Sequence, residues 1–240
     1  MKSTSVRLDR YLKKALSLAR AEVQLLLARG EVFLDGECAK DIQQLVGEFT
    51  QVVVAGRLLQ NRQPHYIQLH KPPGIVSATR DHKHKTVIDL ITADCAAELH
   101  LVGRLDFNST GLVLLTNDGR WSRRLTNPAS GVEKHYRVTL DKPITPDIVA
   151  AFTKGMHFGF EDIITRPVRT SFTDPLCVDL YLHEGRYHQI KRMFGHFQIT
   201  VLSLHRLAIG NVVLDSKLAE GEWRALTAAE VSGLGQYGEG

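Results

Sequence analysis

The sequence predicts an α+β protein of two unequal domains. A small basic domain covers residues 1–60, and a larger one over 61–240 is built on a mixed, largely antiparallel sheet. Three observations predict it. From residue 66 onward, short strands outnumber helices. The N-terminal stretch instead carries two helical stripes that run into a hairpin. Between them the polar segment "LLQNRQPH" (58–65) reads as a linker. At 240 residues the chain is long enough for two cores, and no periodic repeat or low-complexity segment interrupts them.

In the first domain Leu8, Leu12 and Leu16 recur every four residues, with Arg7, Arg10, Lys13 and Lys14 on the other faces of the helix. A second helix is expected from Ala19 to Arg29, with Val23, Leu26 and Leu27 apolar and Gly30 as its C-cap. "EVFLDGECA" predicts a hairpin on Asp35-Gly36, and "TQVVVAG" a further strand. Residues 1–30 hold seven basic side chains (Lys2, Arg7, Arg10, Lys13, Lys14, Arg20, Arg29) against Asp9 and Glu22, a net of +5, while the whole chain carries +4. The positive excess therefore sits in this arm. A solvated basic helix face and a phosphate-binding face both fit it.

In the larger domain "YIQLHKPPG" predicts a strand closed by a Pro-Gly turn, and "TVIDLI" a short helix. "LHLV" (99–102) and "LVLLTNDG" (112–119) are apolar runs flanking the stretch "GRLDFNSTG" (103–111). "HYRVTL" and the alternating "CVDLYLHEG" predict strands. "TPDIVAAFTKG" predicts a helix with Thr145 as N-cap, Pro146 at its first position and Gly155 past its end. "RYHQIKRMFG" predicts a turn or two of helix, and "TAAEV" opens with a Thr227/Glu230 capping box.

Several function classes fall away. Cys38, Cys95 and Cys177 form no C-x-x-C pair, which argues against a zinc knuckle or a disulfide framework and suits a reducing compartment. No apolar run approaches the length of a membrane span, so a cytoplasmic protein is expected. Gly103–Gly111 lacks the Lys-Ser/Thr of a P-loop, and there is no G-x-S-x-G elbow. His82 and His84 have no carboxylate or thiolate cluster to share a metal with, and no metal or cofactor is expected. His183, His188, His196 and His205 are interleaved with Arg186, Lys191, Arg192 and Arg206, a basic strip suited to phosphate.

A turn such as 103–111 needs Gly, Asn and Ser, but it needs neither Arg104 nor Asp106. Asp106, Tyr136 and Lys191 each interrupt or follow an apolar strand pattern. Singly, each has a plain structural reading: a turn cap, a half-buried strand aromatic and a surface charge. Together they permit a carboxylate held beside a cation, which favours its ionised form and orients it as a nucleophile.

Two resemblances sharpen this. "VRLDRYLKKALSLARAEVQLLLARGEVFLDGE" resembles an S4 domain, a small RNA-binding module, over about residues 5–55. "GRLDFNSTGLVLLTNDG", "EKHYRV" and "EGRYHQIKRMF" resemble, in order, the three central motifs of the pseudouridine synthases. The likeness is strongest to the branch that acts on small-subunit ribosomal RNA and carries an S4 domain in front; "HKPPGIVSAT" and "GEWRALTAAEV" also fit that branch.

The resemblance implies a synthase fold with an active-site cleft. It implies isomerisation of uridine to pseudouridine in ribosomal RNA, with the base cut at N1, turned over and rejoined through C5. It gives Asp106 the role of the essential aspartate, and Tyr136 that of the tyrosine stacking on the base and a candidate for proton transfer. Lys191 becomes the aspartate's basic partner, and Arg104 the arginine that fills the space of the flipped nucleotide. Arg7, Arg10, Lys13, Lys14, Arg20, Arg186, His188 and Arg192 are expected to contact RNA. The protein is expected to work as a monomer, without cofactor. Addition of Asp106 to C1′, its addition to the uracil ring, and a glycal route all stand open at this point. So do a large-subunit substrate, a non-catalytic RNA-binding role and a base-releasing nucleosidase.

Overall fold

The computed structural model describes residues 5–159 and 161–236. Lys2, counted in the charge of the arm, lies outside them. The chain divides into two compact units, 1–64 and 65–240.

The first unit opens with helices Leu8–Leu16 and Arg20–Ala28. Leu8, Leu12 and Val23 are fully buried against Val32 and Val52, while Arg10, Lys13, Lys14 and Arg20 stay exposed, as the four-residue stripe requires. A four-stranded antiparallel sheet follows, in the order Glu37–Cys38, Val32–Leu34, Val52–Val54, Arg57–Gln60. Asp35 and Gly36 take φ of 51° and 84°, the left-handed pair that a tight hairpin needs. Ala55 and Gly56 repeat this at 47° and 76°. That second hairpin corrects the expected linker: residues 58–60 belong to a strand, and the connection is confined to the few residues before His65.

The second unit is built on a nine-stranded sheet. Its main path runs Arg169–Asp174, Cys177–Leu182, Lys134–Leu140, Val201–Ile209, Thr110–Thr116, Tyr66–Lys71, Trp223–Ala225. His100–Val102 and Val212–Val213 pair off this path. Every pairing is antiparallel except that of Thr110–Gly111 with His205–Arg206. The sheet is mixed and largely antiparallel, as expected.

Leu112, Val113, Leu114 and Leu115 are all fully buried, because both faces of this central strand are covered. Leu112 and Leu114 pack with Trp121 and Leu125; Val113 and Leu115 join a larger core with Phe152, Leu180 and Phe194. The predicted helix after Thr145 spans Pro146–Lys154, and the Thr227/Glu230 box caps Ala228–Gly235. "TVIDLI" forms only a short 3₁₀ helix. The Asp89 carboxylate accepts from both the amide and the hydroxyl of Thr86, closing a single turn at Ile88–Leu90.

Candidate active site

Two segments meet at the edge of the parallel seam. The first is the loop 103–109, which enters the Thr110–Thr116 strand. Gly103, at φ 81°, turns the chain out of the His100–Val102 strand. The amide of Ser109 then closes the turn on the Asp106 carbonyl at 3.1 Å.

Segment 71–77 holds this loop from beneath. The Ser77 hydroxyl donates to the Leu105 carbonyl at 2.7 Å and accepts from the Leu105 amide at 3.1 Å. The Gly74 amide donates to the Phe107 carbonyl at 2.9 Å. Lys71 is 0% exposed, and its ammonium donates to the carbonyls of Pro72, Phe107 and Ser109 at 2.9, 3.1 and 2.8 Å. Burial pulls its pKa down from 10.5 to about 8, against the opposing charges of Asp106 and Glu220. At neutral pH the side chain is still a cation wired into the backbone around Asp106.

The second segment is the loop 183–188 and the helix Gln189–Gly195, whose Ile190, Met193 and Phe194 anchor it in the core. The Glu184 carboxylate is buried and fully engaged. It accepts from the Arg166 amide at 2.9 Å, Gln189 Nε2 at 2.7 Å and Arg186 Nε at 3.1 Å. Gln189 Oε1 in turn accepts from the Arg186 amide. His188 adopts a left-handed φ of 48°, rare for a residue with a Cβ, and this turns its imidazole toward the aspartate.

The two segments bring Asp106 between a lysine and a histidine. Lys191 Nζ lies 2.8 Å from Asp106 Oδ2, and His188 Nε2 lies 3.4 Å from Oδ1. The side-chain partners of Asp106 are thus groups more than 80 positions away, not amides of its own turn. That is the geometry of a poised carboxylate and not of a turn cap.

Tyr136 stands in the Lys134–Leu140 strand, paired with Leu180 on one side and, at a register slip, with Arg206 on the other. It is only 7% exposed, and its hydroxyl lies 3.4 Å from Arg206 Nη1. One pocket is lined by Arg104, Asp106, Tyr136, Arg186, His188 and Lys191, together with apolar Leu204 and Ile190. Arg104 itself is exposed.

Not every expected contact lies there. Arg192 is held by Glu161 through two 2.6 Å hydrogen bonds and lies over the Phe158 ring, and it does not line this pocket. Arg7 pairs with Asp9 at 2.7 Å; it and Arg10, Lys13, Lys14 and Arg20 belong to the other unit. His188, expected to contact RNA, lines this pocket and is placed against Asp106. Sequence reasoning missed Lys71, Ser77 and Glu184. A lysine inside an otherwise alternating strand, just before Pro-Pro-Gly, is the one signal that could have marked the first of them.

Among the described residues, no group of three or more His, Cys, Asp or Glu side chains is placed to hold a metal, and no helix is long and apolar enough to cross a membrane.

Comparison with known proteins gives a consistent result. The sequence profile of the family described as RNA pseudouridylate synthase matches residues 65–196. The ribosomal small subunit pseudouridine synthase A of Pseudomonas aeruginosa is 50% identical, over 94% of this chain and 99% of that protein. The protein of the same name from Escherichia coli is 39% identical, over 95% of this chain and 100% of that protein. A solved structure titled as a pseudouridylate synthase superposes with a TM-score of 0.70 at 36% identity, covering 95% of this chain and 99% of that one.

Proposed function

The chain belongs to the RNA pseudouridylate synthase family, and from that premise we propose that it isomerises a uridine of small-subunit ribosomal RNA in the pocket around Asp106. The engagement of both Asp106 oxygens by Lys191 and His188 carries the assignment of the nucleophile. The relatives' shared name supports the small subunit over the large.

In this reading the Asp106 carboxylate attacks while Lys191 and His188 hold it oriented. Tyr136 and Leu204, on neighbouring strands, offer apolar surface against which a uracil ring can lie. A stacked base cannot be reached, so the target nucleotide is extruded at a cost of a few kcal/mol. The exposed Arg104 guanidinium then occupies the space it leaves. Because the reaction only relocates a glycosidic bond within one nucleotide, it has no net redox change and transfers no phosphate. The pocket is accordingly the active-site cleft.

The first unit is read as an S4-type RNA-binding domain over residues 1–60. Its exposed Arg10, Lys13, Lys14 and Arg20 would supply affinity through phosphates. The enzyme is expected to act in the cytoplasm, where ribosomes are built, and as a monomer.

The test is Asp106→Asn. Asparagine keeps the shape of the side chain and removes the ionised oxygen. Single-turnover pseudouridine formation on small-subunit RNA should fall by roughly 10⁴-fold, or about 5 kcal/mol of barrier, with RNA binding and thermal stability retained. A variant that isomerises at the parent rate would overturn the assignment.

A further inference from the structure

A second pocket shares Arg104 and Tyr136 with the first but is lined neither by Asp106 nor by Lys191. Its wall includes Thr126, Asn127, Lys134 and Arg206. The last two are cations that the fold leaves without a counter-ion among the described residues.

Arg206 is only 2% exposed. Its Nε donates to the Leu112 carbonyl at 2.7 Å. Nη1 makes only long contacts, 3.4 Å to the Tyr136 hydroxyl and 3.5 Å to the Arg104 carbonyl, and Nη2 has no hydrogen-bond partner. Lys134 lies two residues before Tyr136 on the same strand, and its Nζ donates to the Val132 carbonyl at 3.1 Å.

Burial, then the neighbouring charges of Arg206 and Arg166, pull Lys134 down from 10.5 to about 8; Glu184 works in the opposite direction. Glu184 acts on Lys134 only through space: its oxygens accept from Arg166, Arg186 and Gln189, and it forms no ion pair with Lys134 or Arg206 among the described residues. Among the other charged side chains at the pocket, His183 faces Glu133 at 3.6 Å and Arg104 adds another positive charge.

A buried cation without an anion is a standing cost that packing alone does not repay. The half-buried Lys134 ammonium is further disfavoured by the Arg206 guanidinium nearby. An anion entering the pocket relieves both.

We propose that this pocket is an anion subsite that takes an RNA backbone phosphate next to the flipped uridine, with Lys134 donating to the phosphate and the buried Arg206 as the charge behind it. The inference rests on the reading of the chain as an RNA-modifying enzyme. The shared wall formed by Arg104 and Tyr136 places the phosphate beside the target nucleotide and not at a remote docking point.

The experiment compares the full-length protein with Lys134→Met and Lys134→Arg, using an in vitro transcript of small-subunit ribosomal RNA. A phosphate contact worth one counter-ion should vanish in Lys134→Met. The slope of log K against log salt should fall by roughly 0.7 to 0.9. Affinity should fall about tenfold, KM should rise by a larger factor than kcat falls, and Lys134→Arg should restore the slope. Thermal stability should change little, because removing the desolvated charge offsets the loss of the donor to the Val132 carbonyl.

A further readout is the proton. Phosphate raises the lysine pKa, so at pH 9 the parent protein should take up protons on binding RNA, and Lys134→Met should lack that uptake. An unchanged salt slope, or equal proton uptake by parent and Met variant, would overturn the subsite. So would a fall in melting temperature that tracks the loss of binding, since Lys134 would then be a structural residue. A parent protein that makes no pseudouridine in this RNA would instead sink the functional reading itself.

Discussion

Replacing Lys71 with methionine separates two effects that usually move together. The buried ammonium costs the folded state roughly 3 kcal/mol, the equivalent of its pKa drop from 10.5 to about 8. Methionine removes that cost. It also strips the carbonyls of Pro72, Phe107 and Ser109 of their shared donor. Each buried acceptor left unpaired costs about 1–3 kcal/mol, so the gross loss is about 3–9 kcal/mol. The net is a destabilisation of about 3 kcal/mol, or a fall of roughly 6–12 °C in melting temperature for a domain of this size.

The catalytic loss should be larger in proportion. Two of the three carbonyls flank Asp106, and a carboxylate misplaced by about 1 Å costs on the order of 10²-fold in kcat. The pH dependence carries its own sign. Between pH 8 and 10.5 the unfolded chain holds a proton on Lys71 that the folded chain has lost, so the stability of the parent rises with pH across this window. Activity moves the other way, because a neutral amine has two hydrogens for three carbonyls. Melts and kcat measured from pH 7 to 10, for parent and Lys71→Met, test both. A variant with unchanged melting temperature and kcat within threefold of the parent would refute the reasoning.

Three further outcomes follow from the geometry. Arg104→Ala should lower activity on folded RNA by at least tenfold with the melting temperature unchanged, because the side chain is exposed; a parallel loss of both would make it structural. Substitutions at Lys191 and Asp106, 2.8 Å apart, should be strongly non-additive in a double-mutant cycle of kcat/KM, and additive losses would dissolve the pair. Gly111→Ala should cost more than 3 kcal/mol in denaturant unfolding. Its φ is 103°, and an added Cβ would stand 2.6 Å from the Arg206 backbone nitrogen and closer still to its carbonyl oxygen.

Much of the architecture was legible because it is written in local patterns. The stripe Leu8, Leu12 and Leu16, the Asp35-Gly36 hairpin and the run Leu112–Leu115 each carry their own period or turn chemistry, and each took the expected form. The linker was misjudged because alanine is a poor sign of positive φ, and Ala55 hid a second hairpin. The segment 86–91 forms only a single 3₁₀ turn, because a Thr-x-x-Asp cap stabilises one turn as readily as a longer helix. At the site, single residues stood out, but no spacing rule joins Asp106 to Lys191; the family resemblance did. Lys71 and Ser77 escaped because most of their partners are backbone groups distant in sequence, and Glu184 because its partners, near and far, follow no regular spacing. Such contacts leave no periodic trace.

The parallel seam between Thr110–Gly111 and His205–Arg206 has a consequence in time. Arg206 follows Asp106 by 100 residues, so during synthesis the loop that carries the carboxylate is made long before the strand that completes its surroundings. Closing so long a loop is entropically costly, and pairings of this range form late in folding. Until then the Thr110–Gly111 end of the Thr110–Thr116 strand lacks its parallel neighbour. The helix bearing Lys191 and His188 comes just ahead of the closing strand, so the ion cluster and the seam mature together. The Asp106 carboxylate of a nascent chain therefore stands without Lys191 until 85 further residues have been made.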